Sequence, residues 1–165
     1  MTSTSSPTPT TTDRLTIATA DDMFALGQRI GAELLPGDFI GLTGDLGAGK
    51  SVLVRGICAG CGIDPCEVMS PTFVIVVSHR GRLAIHHADF YRLGDMDELY
   101  ATGFDDLVND GRAAILVEWI DRIPEALPPE YLRVHIDGCG EAPREVFVER
   151  VGPRFEGRLA LQNPQ

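Results

Sequence analysis

Lysine is all but missing from this chain. Of its 14 basic residues 13 are arginine, and Lys50 stands alone. A guanine-reading N-K-x-D motif needs a lysine of its own, so any role that already commits Lys50 excludes the Ras-type GTPases. Positive charge is scarce in general: a formal net charge of −10 makes the surface repel polyanions, which excludes autonomous nucleic-acid binding as the expected activity. No apolar run approaches the roughly 18 residues that a membrane helix requires. Met1 to Thr12 are almost all Ser, Thr and Pro, with neither a basic side chain nor an apolar stretch. That segment reads as a disordered tail and not as a secretory signal, so a soluble, cytoplasmic protein is expected. A complete zinc pattern is missing too. Cys58 and Cys61 form one C-x-x-C and Cys66 follows, but no second pair and no suitably spaced histidines complete a site, so the cysteines are expected as core or surface thiols.

What is present centres on Gly44-Asp45-Leu46-Gly47-Ala48-Gly49-Lys50-Ser51, which fits the phosphate-loop pattern G-x-x-x-x-G-K-S/T. Its flanks fit as well. Asp38 to Leu42 reads as a short buried strand, and Val52 to Ile57 continues as a helix. Glycines let such a loop curl its N–H groups round a phosphate, while the helix that follows points its positive end at the same anion. Lys50 would bridge the β- and γ-phosphates and the Ser51 hydroxyl would hold Mg2+. With the guanine motif excluded, ATP is the expected nucleotide.

The 165 residues supply one well-buried core and not two, so residues 13–165 read as a single domain. Arg14 to Ala18 alternates like a half-buried strand. Thr19 can cap a helix whose apolar positions Met23, Leu26, Ile30 and Leu34 recur at helical spacing, and Pro36-Gly37 ends it. The helix after Lys50 runs out at Gly60 and Gly62. Val74 to Val77 and Leu83 to His86, joined by a turn at Ser78 to Arg82, predict a hairpin. Asp95 to Thr102 and Phe104 to Asn109 predict two short helical pieces, and Ala113 to Val117 a strand buried on both faces. Tyr131 to Ile136 and Glu145 to Val151 predict two more strands, with Arg158 to Leu161 as a last edge strand or short helix. The sum is an α/β fold of the P-loop NTPase type: a mixed, mostly parallel sheet with flanking helices and an antiparallel hairpin.

ATP chemistry needs a carboxylate for the metal and a group to orient water. Two acids stand at strand ends, where open α/β sheets collect their ligands: Asp89 after the hairpin and Glu118 after the buried run. Thr72, in the stiff Ser70-Pro71-Thr72-Phe73 segment, is the candidate γ-phosphate sensor. His86 and His87 are adjacent in a strand, so they point to opposite faces and only one can be available to a site.

Four stretches now stand in register: 44–51, Ser-Pro-Thr-Phe at 70–73, His-Ala-Asp-Phe-Tyr-Arg-Leu at 87–93 and Val-Glu-Trp at 117–119. In order and spacing the chain resembles the bacterial TsaE ATPases, over roughly residues 14–136. The resemblance implies a weak ATPase that acts on the TsaB–TsaD pair in making the threonylcarbamoyladenosine modification of tRNA, with tRNA reached only through that complex. It implies that residues 45–51 (Asp45, Leu46, Gly47, Ala48, Gly49, Lys50 and Ser51) bind nucleotide, that Asp89 is the Walker-B-like acid, and that Glu118 serves metal or water. Trp119 would lie near the nucleotide or the partner. Two rivals remain from other classes: a small-molecule kinase with Arg80 and Arg82 in a lid, and a non-hydrolysing ATP-gated binding module.

Overall fold

The computed structural model describes residues 8–71 and 75–162. Seven strands form one sheet: β1 (Thr10–Ile17), β2 (Phe39–Thr43), β3 (Val76–Arg80), β4 (Ala84–Asp89), β5 (Ala114–Glu118), β6 (Tyr131–Asp137) and β7 (Arg144–Val151), in the order β1-β7-β6-β2-β5-β4-β3. The central four, β6, β2, β5 and β4, are mutually parallel. Antiparallel pairings lie outside them, between β3 and β4, β6 and β7, and β7 and β1.

Every residue of β2 and of β5 is buried. Their side chains alternate between two cores, as the two-residue period of a strand requires. Ile40, Leu42, Ala114 and Leu116 face one core with Ile30, Leu53 and Ile57 of helices α1 (Ala20–Glu33) and α2 (Lys50–Gly60). Phe39, Ile115 and Val117 face the other, with Leu99 of α3 (Met96–Tyr100) and Phe104 of α4 (Phe104–Asp110). There the Phe104 ring meets Phe90 edge to face at 5.3 Å. Helices thus cover both faces of the sheet at β2 and β5, and there only the strand ends can open to a ligand.

α1 and α2 touch backbone to backbone. Gly27 and Gly31 on one helix meet Gly56 and Gly60 on the other, and a Cβ added at Gly27 would lie 2.5 Å from Leu53 O and 2.8 Å from the Gly56 Cα. The four-residue spacing on each helix puts both glycines of a pair on one face.

Several expectations shift in detail. β1 begins at Thr10, so Thr10, Thr11 and Thr12, grouped by composition with the tail, pair with Val151, Arg150 and Glu149 of β7. The hairpin turn is Gly81 to Leu83 and not Ser78 to Arg82. Ser78 and His79 stay in the ladder because each finds a place there: Ser78 Oγ pairs with His86 Nδ1 at 2.7 Å, and the His79 ring is buried. Arg82 turns away to the end of α1, donating to Gly31 O at 2.8 Å and Leu34 O at 3.3 Å. Arg158 to Leu161 forms neither strand nor helix. This segment is fixed by side chains: Arg158 and Arg154 both bind the fully buried Asp38 carboxylate, at 2.6 and 2.7 Å, just before β2.

Candidate functional site

β2 ends at Thr43, the chain loops through Gly44 to Gly49, and α2 starts at Lys50. Two glycines make the loop possible. Gly44 has φ 146°, and a Cβ there would sit 2.7 Å from Ile136 O; Gly49 has φ 111° and leads straight into the helix. Gly49 supplies no side-chain cap and the first turn of α2 holds no acid, so the N–H groups and positive end of the helix stay open to an anion.

Lys50 is only 6% exposed. Its ammonium donates to Gly44 O and to Asp45 O, the latter at 2.8 Å, and lies 4.2 Å from the centre of the Trp119 ring. Burial pulls its pKa below the ordinary lysine value, against the opposing charges of Glu118, Asp121, Asp45 and Asp89. Trp119 takes a left-handed turn at the end of β5 (φ 59°) and its ring stands 4.9 Å from Tyr91. The guanidinium of Arg122 covers Tyr91 in turn.

The two strand-end acids are register partners in the parallel pair of β4 and β5. Asp89 Oδ1 accepts from Tyr91 N at 2.8 Å, and Glu118 Oε2 accepts from His87 Nε2 at 2.8 Å, with His87 and Glu118 both buried. Burial, and after it the Glu118 charge, raises the Asp89 pKa above the usual carboxylate value even though the Tyr91 N–H lowers it. A cation between the acids would relieve that repulsion.

These groups line one cleft of about 380 Å³, with Leu46, Gly47, Gly49, Lys50 and Ser51 on the loop side, Ser70 beside it, and Asp89, Glu118 and Trp119 opposite. Asp45 contributes its carbonyl to Lys50, and Ala48 is buried under the loop. Thr72 lies outside the described residues. His87 is the histidine that reaches the cleft's acids, while His86 bonds Ser78.

The sequence reading missed a second cavity of about 420 Å³ on the other side of the loop. It is lined by Thr19 and Met23 of the α1 start, Gly47, Gly49 and Val52, Gly140 of the β6–β7 connection and Arg144 at the start of β7. Arg144 ties that connection to the loop, donating to Ala48 O at 3.0 Å and Gly47 O at 3.3 Å. Thr19 was legible only as a helix cap, a role it has through Oγ1 and Asp22 N.

No group of three or more His, Cys, Asp or Glu side chains that could hold a metal exists among the described residues. The side-chain oxygens in the cleft are two carboxylates, Asp89 and Glu118, and two hydroxyls, Ser51 and Ser70. That set suits Mg2+, which takes few protein oxygens and completes its shell with water and phosphate. The cysteines are free: Cys58 and Cys61 are buried, and burial pushes the Cys58 thiol up to about 12. Among the described residues no helix is long and apolar enough to cross a membrane.

A mononucleotide-type strand, loop and helix with two acids at the sheet's C-terminal edge defines the class. Comparison with known proteins gives the family. The model of the family described as "Threonylcarbamoyl adenosine biosynthesis protein TsaE" matches residues 17–146. A Bacillus subtilis tRNA threonylcarbamoyladenosine biosynthesis protein TsaE is 39% identical over 80% of this chain and 82% of its own, and the Streptomyces coelicolor protein of that name 37% over 81% and 93%. The crystal structure of Bacillus subtilis YdiB superposes with a TM-score of 0.71 at 30% identity, covering 93% of both chains. The chain belongs to the TsaE family, and its match extends beyond residue 136 into β7.

Proposed function

We propose that the protein is a Mg2+-dependent ATPase that serves threonylcarbamoyladenosine modification of tRNA by acting on a TsaB–TsaD pair. The observation that carries the proposal is the cleft itself: an open helix N-terminus, a buried P-loop lysine and two acids face one another across it. Phosphates would enter over α2 and draw Lys50 from its carbonyl partners. Mg2+ would be held by the Ser51 hydroxyl and Asp89. When bound, the ion would neutralise charge on the β- and γ-phosphates. The apolar cavity beside Met23 and Val52 has room for the base and ribose. Glu118, tethered through one oxygen, keeps the other for the attacking water. The protein would meet tRNA only through the partner complex, since its net charge of −10 gives it no affinity of its own.

The rival kinase reading needs arginines over the transferred phosphoryl. Arg82 is instead spent on the C-terminal end of α1, next to Cys61 and so at the far end of α2 from Lys50. A binding module without turnover would need Glu118 for the metal alone, whereas its tether to His87 leaves one oxygen to direct a water. The test is phosphate release from ATP by the purified protein, with and without Mg2+. Slow release that stops when the metal is chelated is expected. ADP formed without free phosphate, and only after a small-molecule acceptor is supplied, would favour the kinase.

A further inference from the structure

We infer that His87 is a positioning residue, the group that aims Glu118 at the attacking water; this rests on the ATPase reading above. In the β4–β5 pair, His87 lies opposite Leu116 and Asp89 opposite Glu118, so His87 and Asp89 share a face. The Glu118 side chain reaches back one step along that face to His87 Nε2, 2.8 Å away, with side-chain exposures of 2% for His87 and 9% for Glu118. A carboxylate oxygen can only accept here, so Nε2 carries the proton of this hydrogen bond.

Nδ1 is buried and has no partner among the described residues. The Glu118 contact is therefore the hydrogen bond of this imidazole, and an apolar side chain of similar size would pack there without leaving a buried nitrogen unsatisfied. His79, on the same face of the hairpin, does not anchor Glu118, for its Nε2 has no partner among the described residues. The two acids are thus held separately, Asp89 by the Tyr91 backbone N–H and Glu118 by an imidazole, so the aim of Glu118 can be altered without touching Asp89.

With Oε2 fixed, Oε1 is left to accept a hydrogen bond from water. That water's oxygen joins the γ-phosphorus as the bond to the bridging oxygen breaks. ADP leaves with the electron pair, and the water's protons end on inorganic phosphate and in bulk solvent. His87 contributes direction and touches neither substrate nor metal.

The test compares His87→Met, which fills the space without a donor, with His87→Gln, whose amide N–H can stand where Nε2–H does. Single-turnover ATP hydrolysis should fall about 10-fold or more in the Met variant, and the Gln variant should recover most of the rate. ATP affinity, read from Trp119 fluorescence, and half-saturating Mg2+ should match wild type in both. Should the Met variant not fold, His87→Asn, whose shorter amide cannot reach Glu118, should be slow in its place. Wild-type rates without the donor, a rate loss that follows ATP or Mg2+ affinity, or a Gln variant as slow as Met would each overturn the inference. Absence of turnover in the wild-type protein would instead overturn the ATPase reading, and this inference with it.

Discussion

Lys50 is held by two carbonyls and an indole, in a pocket where burial works against its charge. An anion is the partner that would improve its position most. Lys50→Met keeps the aliphatic stem and removes the ammonium, so ATP binding should be lost while thermal stability holds or rises; a melting curve and an ATP titration check both. Full ATPase activity in that variant would sink the phosphate-loop assignment. Glu118→Ala should leave ATP binding intact and slow turnover by about 100-fold or more, as expected for a group acting on the water. If binding is lost instead, Glu118 belongs to the metal. Lys50, Ser51, Asp89, Glu118 and Trp119 were legible because the loop spacing is local and strand ends follow from apolar runs. Arg144 was not legible. It reaches Ala48 across 96 residues of sequence, and only the register of the sheet brings the two together. His87 was half legible, since alternation shows that one of two histidines faces the site but not that its partner is Glu118.

Elements repeat the lesson at larger size. Gly60 closes α2 as its sequence predicts, and it also packs on α1 together with Gly56, a role the sequence does not reveal. Nothing local distinguishes a glycine that ends a helix from one that admits a neighbour. Gly27→Ala or Gly56→Ala should push α1 and α2 apart at a cost of about 1–3 kcal/mol, measurable by urea unfolding. Asp38 anchors the other end of β2. Burial alone would raise its pKa, but Arg158, Arg154 and the Leu35 N–H outweigh it and hold the carboxyl below the ordinary carboxylate value. Because the folded value is the lower one, this contribution is full above about pH 4 and fades as pH falls through the folded value. Arg154→Ala with Arg158→Ala leaves that buried charge unpaired and should destabilise by about 3–5 kcal/mol at neutral pH. A stability unchanged in the double variant would show that water replaces both arginines.

At the scale of the whole molecule, helices seal both faces of β2 and β5, and the acids gather at one edge of the sheet. The parallel centre and the hairpin were legible from the pattern of strands, because burial on two faces writes itself as unbroken apolar runs. The C-terminal segment was not, since Arg154 and Arg158 hold it by charge and no periodicity records that. The cleft's open side leaves room for a partner to complete it, as the proposed action on a TsaB–TsaD pair requires. The most direct measurement is the rate of Mg2+-dependent ATP hydrolysis by the pure protein, first alone and then with a TsaB–TsaD pair from the same source. A slow rate that rises when the pair is added is the expected result. A rate indifferent to the pair, with ATP consumed only in the presence of a small acceptor, would contradict the account.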